Sequence, residues 1–131
     1  MQDPPTPPEL LTAVARFLRE TAMPELTGHS AFLTRVAANA LDLARRQIEL
    51  QPTADVAELD RLRAILGLDG SLEDLNARLC EAIESRRVTL QTPGLADHLW
   101  STTLAKLAVD QPTYAAFVAA IRDTAITGAV D

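Results

Sequence analysis

The chain has 131 residues, of which 12 are Lys or Arg and 18 are Asp or Glu, so its formal net charge at pH 7 is -6. That balance argues against nucleic-acid binding, because contacts to a phosphate backbone need clustered basic side chains. The apolar fraction of 47% is typical of a globular protein. No apolar stretch approaches the roughly 18 residues of a membrane-spanning helix. We therefore expect a folded, soluble protein with no nucleic-acid and no membrane partner.

Two further features bear on the cellular compartment. The single cysteine, Cys80, cannot form an internal disulfide and lacks the spaced Cys or His partners of a zinc site. The segment MQDPPTPPEL at 1–10 has neither a basic start nor an apolar run, so we expect no secretory signal. Both observations favour a cytoplasmic protein that holds no metal and no other cofactor.

A first helix is predicted to begin near Thr6, after a short flexible lead at residues 1–5. The tetrapeptide TPPE at 6–9 has the spacing of a capping box, with proline in the first helical turn, where its missing N–H is tolerated. Apolar residues then recur at helical spacing as far as Leu18. Pro24 ends the pattern, because the residue before a proline is pushed out of the helical region.

The second helix is predicted to run from an N-cap at Ser30 to about Leu50, with an apolar arc wider than that of an ordinary surface helix. Pro52 is expected to end it, since proline lacks the N–H that a helix interior requires. A third helix then extends to Leu66, where Gly67 provides a stop.

Three more helices are predicted in the rest of the chain. The first has Ser71 as its N-cap, the second begins at Leu95 after a Thr-Pro-Gly turn, and the third follows Pro112. The tail at residues 127–131 is expected to fray.

This succession of helices predicts an all-α fold, in which residues 1–131 form a single-domain bundle of about five to six amphipathic helices. The side chains expected in its core lie on the apolar arcs of the predicted helices. They are Leu10, Val14, Phe17, Phe32, Val36, Leu43, Leu62, Leu79, Leu99, Trp100, Phe117 and Ile121.

A polar stripe on the second predicted helix is the candidate binding site. Arg35, Asn39, Asp42 and Arg46 follow one another at i, i+4, i+7 and i+11, so they share one face of the helix. In one interpretation the two arginines hold an anionic group or form the rim of a partner site, and Asn39 orients the contact. In the other, Asp42 pairs with Arg35 or Arg46 along the helix. Because Asn39 projects onto the edge of the apolar arc, we expect it to be buried and bonded outside its own helix.

The other reactive side chains are scattered along the sequence. His29 lies in a predicted loop and His98 on the polar side of its helix, so solvated imidazoles are expected for both. Cys80 lies on the shoulder of an apolar stripe and is expected to be buried. Phosphate-binding loops, nucleophile elbows and metal motifs are absent from the sequence. We therefore expect no catalytic residues and a protein that is not itself an enzyme.

Three segments stand out together: PPELLTAVARFL at 7–18, FLTRVAANALDLARR at 32–46 and AKLAVDQP at 105–112. They resemble an uncharacterised bacterial family of small helical proteins, known only as a domain of unknown function. Members of that family are encoded beside a phosphotransferase of the aminoglycoside and choline kinase type, and often beside an acyl-CoA dehydrogenase. This neighbourhood implies a pathway in which a hydroxyl group of a hydroxyacyl-CoA is phosphorylated and thereby becomes a leaving group.

The resemblance implies that the chain is a non-catalytic accessory subunit of that phosphotransferase, and it assigns no catalytic residue. Two alternatives stay open. One is a module that binds a small anionic molecule, or an unrecognised small enzyme, and the other is a structural homodimer. A protein partner is the first expectation, with a homo-oligomer as the alternative.

Overall fold

The computed structural model describes the backbone of residues 3–127 and the side chains of residues 3–123. Within that part the helices are α1 (Pro7–Phe17), α2 (Gly28–Leu66), α3 (Leu72–Glu84), α4 (Leu95–Asp110) and α5 (Ala115–Thr127). Between α1 and α2 the chain makes a π turn, Leu18–Ala22, and a 3-10 turn, Met23–Glu25. No strand occurs between residues 3 and 127, so the predicted all-α fold class is confirmed.

The helix ends follow the local signals of the sequence. The Glu9 carboxylate accepts hydrogen bonds from the Thr6 backbone N–H at 2.6 Å and from the Thr6 hydroxyl at 2.9 Å, as the capping box predicts. At the start of α3, the Ser71 hydroxyl accepts a bond from the Asp74 N–H at 3.1 Å. Gly67 follows the last residue of α2 with a φ of 65°, a left-handed conformation that glycine adopts readily.

The predicted break at Pro52 is wrong. α2 is one continuous helix of 39 residues with Pro52 inside it, so the second and third predicted helices are a single element. Proline removes one backbone hydrogen bond, here the one that residue 52 would donate to the Ile48 carbonyl. Good helix formers such as Glu49, Gln51 and Ala54 flank Pro52 on both sides, and their helix propensity offsets the loss of that bond.

The chain divides into two compact units, residues 1–50 and residues 51–131, and the boundary falls within α2. The single domain predicted for residues 1–131 stays a prediction. Residues 1 and 2 of the predicted lead and residues 128–131 of the predicted frayed tail lie outside the described residues. In the described part, none of the helices has the length and apolar content needed to cross a membrane.

In the first unit Arg19 of the π turn bonds to Asn39 and Asp42 of α2, so the chain reverses direction between them. We call this arrangement the hairpin: α1 and its two turns form one arm, and the N-terminal part of α2 forms the other. Its most buried side chains are small: Ala15 is 1% exposed and Ala38 is 0% exposed. Half-buried residues repeat around each alanine at alternating spacings of three and four, as in antiparallel helices that pack side by side. We call the whole set the seam: Pro8, Leu11, Ala15, Leu18 and Ala22 on the first arm, and Ala31, Thr34, Ala38, Leu41 and Arg45 on the second.

The second unit has a core of branched apolar side chains. Leu62 of α2 and Leu75 of α3 lie at its centre and are 0% exposed. The buried cluster comprises Leu62, Leu75, Leu79, Ala82, Val88 and Leu95. Buried apolar area of this kind is the main favourable term in folding.

The predicted core is wrong for most of its members. Leu62, Leu79 and Phe117 are buried as predicted, whereas the other nine side chains are 36% to 57% exposed. Those nine are Leu10, Val14, Phe17, Phe32, Val36, Leu43, Leu99, Trp100 and Ile121. In the first unit the reason is geometric, because a pair of helices buries the narrow seam between them and leaves the rest of a wide apolar arc uncovered.

Candidate functional site

The predicted polar stripe lies along one side of the hairpin. Arg35, Asn39, Asp42 and Arg46 each follow a seam residue of α2 by one position, so they lie about 100° around the helix from the seam. On the first arm, Arg19 follows the seam residue Leu18 in the same way. We call this side of the hairpin the polar flank.

Arg19 joins the two arms across the polar flank. Its Nη2 atom donates hydrogen bonds to Asp42 Oδ2 at 2.6 Å and to Asn39 Oδ1 at 3.0 Å. Because both charged side chains are partly exposed, the ion pair adds little to stability, about 0 to 1 kcal/mol. Its main effect is to hold the carboxylate and the amide in fixed positions on the surface.

The structure corrects one expectation about this stripe. Asn39 is exposed rather than buried, although it is bonded outside its own helix as expected. Asp42 forms an ion pair with Arg19, 23 residues away, and the pairing of Asp42 along its own helix stays a prediction. The role of Arg19 could not be found in the sequence, because its partners lie on another helix and no local spacing connects them.

Beside the polar flank, α2 presents an exposed apolar ridge. Phe32, Val36 and Leu43 lie at i, i+4 and i+11, with Asn39 at i+7 between them, and all four are exposed. At the N-terminal end of the ridge the His29 ring stacks on Phe32, with the ring centroids 6.3 Å apart. We call Phe32, Val36, Asn39 and Leu43 the α2 ridge. Exposed apolar side chains bordered by arginines are characteristic of a protein interface.

A second polar cluster lies inside the second unit. His98 of α4 is 2% exposed, so the predicted solvated imidazole is wrong. Arg61 donates to the Thr102 hydroxyl at 3.4 Å, and Asn76 donates to the Glu58 carboxylate at 2.8 Å. The Nδ1 atom of His98 and the Nε atom of Arg61 are buried and have no hydrogen-bond partner among the described residues.

The environment of His98 favours the neutral imidazole. Burial lowers the pKa of His98 below its ordinary value of 6.5, and the Arg61 guanidinium lowers it further, while the Glu58 carboxylate opposes both effects. The native state therefore binds the proton less readily than the unfolded state does. It follows that the stabilising effect of the neutral ring is complete above pH 6.5 and is lost as the pH falls from 6.5 through the lower native pKa.

Replacing His98 by Gln should therefore weaken the acid sensitivity of the fold. Urea unfolding at about pH 7.5 and about pH 5.5 should show a smaller loss of stability for the variant than for the parent chain, because the proton-linked group is gone. His29→Gln is the matched control, since His29 is exposed, and it should keep the parental pH dependence. An identical loss in the parent and in His98→Gln would contradict the assignment.

The remaining candidates do not assemble into a reactive site. Cys80 is exposed, so its predicted burial is wrong. Among the described residues, no group of three or more His, Cys, Asp or Glu side chains is placed to hold a metal ion. A cavity of about 160 Å³ lies between the end of α2 and α3, with Arg78 and Arg87 among its lining residues. Its volume is below the 300 Å³ or more of a typical ligand pocket.

The fold and the surfaces define a small all-α protein with an exposed apolar ridge and a polar flank. A family model described as a domain of unknown function, DUF6285, matches residues 24–114, and the chain belongs to that family. Of the segments that carried the resemblance, 32–46 and 105–112 lie within the match and 7–18 lies outside it. No curated protein and no solved structure matches the chain.

Proposed function

We propose that this chain is a non-catalytic accessory subunit that binds a phosphotransferase through the α2 ridge and the adjoining polar flank. The observation that carries the proposal is the exposed ridge beside Arg35 and Arg46 on α2. The phosphotransferase as partner comes from the resemblance to a family encoded beside such enzymes. The ridge and its arginines lie within the residues that the family model matches.

The α2 ridge has the composition of an interface centre. Phe32 is an exposed aromatic side chain at one end, and Val36 and Leu43 extend the apolar surface along the helix. Aromatic and arginine side chains are enriched where proteins bind one another, and a few of them carry most of the binding energy. A partner that covers the ridge and its rim would bury on the order of 1,200 Å² in total.

The polar flank is suited to orient such a partner. Arg19 already holds Asn39 and Asp42, so these groups lose little freedom when a partner covers them. Arg35 is exposed beside the ridge, with no ion pair among the described residues, and it is available to a carboxylate on the partner.

In this proposal the chemistry belongs to the partner. The phosphotransferase transfers a phosphoryl group from its donor to the hydroxyl of a hydroxyacyl-CoA, and phosphate then leaves from that carbon more readily than hydroxide would. Apart from Glu58, Arg61 and His98 inside the second unit, the titratable groups described for this chain are dispersed over both units, whereas acid–base catalysis needs several of them within hydrogen-bond reach of one reacting group.

Co-expression with a phosphotransferase of the type encoded beside members of the family tests the proposal. The double variant Arg35→Glu and Arg46→Glu should lose co-purification and any stimulation of the kinase, because it places like charges against the acidic groups that the arginines face. Its melting temperature should stay close to that of the parent chain. Arg78→Glu with Arg86→Glu makes the same charge change on other exposed residues and should bind normally.

A single substitution on the ridge provides a second, independent test. Phe32→Asp puts a charge into the apolar centre of the interface and should also abolish co-purification. Normal binding by Phe32→Asp and by the double arginine variant would overturn the proposed surface. Conversion of a hydroxyacyl-CoA by the purified chain alone would overturn the accessory role.

A further inference from the structure

The hairpin has a second exposed face that the proposed function does not use. On the side opposite the polar flank lie the positions that precede a seam residue by one, each about 100° around its helix from the seam in the other direction, and all of them are exposed except Ala44, which is half-buried. These positions are Pro7, Leu10, Val14, Phe17 and Thr21 on the first arm, and Ser30, Leu33, Ala37, Ala40 and Ala44 on α2. We call this set the apolar flank, and none of its ten side chains carries a charge.

The two halves of the apolar flank lie on the same side of the hairpin. In antiparallel helices that share a seam, the positions that follow the seam meet on one side and the positions that precede it meet on the other. Arg19 follows the seam on its arm, and it bonds to Asn39 and Asp42, which follow the seam on α2. Those contacts place the following positions together, and the preceding positions therefore share the opposite side.

We propose that the apolar flank is the interface of a homodimer, in which the hairpins of two copies pack face to face as an antiparallel four-helix bundle. Bulky side chains line one arm, where Leu10, Val14 and Phe17 are 47% to 56% exposed. On α2 the side chains at Ala37, Ala40 and Ala44 are small, and Leu33 is the bulky member of that arm. A two-fold axis places α1 of each copy against α2 of the other, so that the bulky side chains of one copy pack between the alanines of its partner.

The area of the apolar flank agrees with a second copy as the occupant. Ten side chains of this size and exposure present on the order of 600 Å² per copy, so two copies together would bury about 1,200 Å², the lower end of the range for stable interfaces. A patch of that size on a monomer is also at the upper end of what soluble proteins leave exposed.

The distribution of charge along the chain also favours a second copy as the occupant. The unit of residues 1–50 contains five arginines and six carboxylates, which gives it a net charge of -1. The rest of the chain carries the remaining -5 of the total of -6. The hairpins themselves therefore add little to the repulsion between two copies, and an uncharged face offers no group that selects a charged partner instead.

The dimer leaves the proposed partner site accessible. Val36 and Leu43 of the α2 ridge point away from the seam, and the arginines of the polar flank lie on the opposite side from the dimer interface. The homodimer is therefore independent of the proposed function, and it is tested on the chain without any phosphotransferase.

Light scattering of the purified full chain at micromolar concentration measures the mass directly. We expect twice the 14.2 kDa of one chain. Val14→Glu places a carboxylate in the middle of the apolar flank and should raise the dimer dissociation constant by more than about a hundredfold, because two unpaired charges would be buried. Leu33→Lys, on the other arm, should do the same with the opposite charge.

Thr12→Glu is the matched control, since Thr12 is exposed on the polar flank and the variant adds the same charge to the same helix. It should remain dimeric, and circular dichroism should show parental helix content for all the variants. A parent chain that stays at 14.2 kDa overturns the proposal whatever the variants do. So does a dimer that survives both charged variants, or one that Thr12→Glu dissociates as readily as Val14→Glu.

Discussion

Truncation of Leu62 or Leu75 to Ala should lower the free energy of unfolding by about 2 to 5 kcal/mol, the range for buried leucines in well-packed cores. Both side chains are 0% exposed and belong to the buried apolar cluster where α2, α3 and the start of α4 meet. Removing three carbon atoms there loses apolar burial and also leaves a cavity that the surrounding helices cannot fill completely.

Urea denaturation followed by circular dichroism measures this loss. Leu99→Ala is the matched control, because the same atoms are removed from a side chain of α4 that is exposed, and the change should stay within about 0.5 kcal/mol. If Leu99→Ala proved as costly as Leu62→Ala, the buried side of α4 would be the one that the sequence predicted, and not the side that carries Leu95 and His98.

Replacement of Pro52 by Ala should raise the free energy of unfolding by about 2 to 3 kcal/mol. Proline in a helix interior is roughly 3 kcal/mol less favourable than alanine, since it removes an N–H donor and its ring collides with the preceding turn. Part of the gain is offset because alanine leaves the unfolded chain more freedom than proline does.

The control for Pro52→Ala is Pro7→Ala. Pro7 is the first residue of α1, where no intrahelical partner exists for its missing N–H, so its replacement should bring no comparable gain. A Pro52→Ala variant that is no more stable than the parent would mean that the chain breaks at residue 52 and that α2 consists of two helices.

Most signals that act within one turn of the chain predicted the helix ends correctly. The N-cap predicted at Ser30 is wrong, because α2 already begins at Gly28 and includes His29, which was expected in a loop. The capping box at Thr6 and Glu9, the N-cap at Ser71 and the stop at Gly67 all occur as expected. Each depends on a side chain or a backbone conformation within four residues of the helix end. The prediction at Pro52 failed because the helix formers around the proline outweigh its helix-breaking effect. The identity of residue 52 alone does not show which of the two effects is larger.

The sequence was a poorer guide to which side of each helix is buried. Along α4 apolar residues occur nearly all the way round, and the side that carries Leu99 and Trp100 looked at least as apolar as the side that carries Leu95. Which side is buried depends on how many neighbours the fold supplies, and this is a property of distant elements. In the same way, helical spacing predicted that the residues of the polar stripe share one face of α2, but it could not predict that Arg19 bonds to them.

The π turn at Leu18–Ala22 bears on how the gene tolerates deletions. A π turn accommodates one residue more than an α-helical path through the same space. Loss of a single codon there, for example that of Glu20, would leave the number of residues that an α-helical path needs, so the segments on either side would keep their positions. Loss of a codon within α1 has no such reserve, because it rotates one part of the helix by about 100° relative to the other and divides the seam. In the gene, this short stretch is therefore more tolerant of a one-codon in-frame deletion than α1 is.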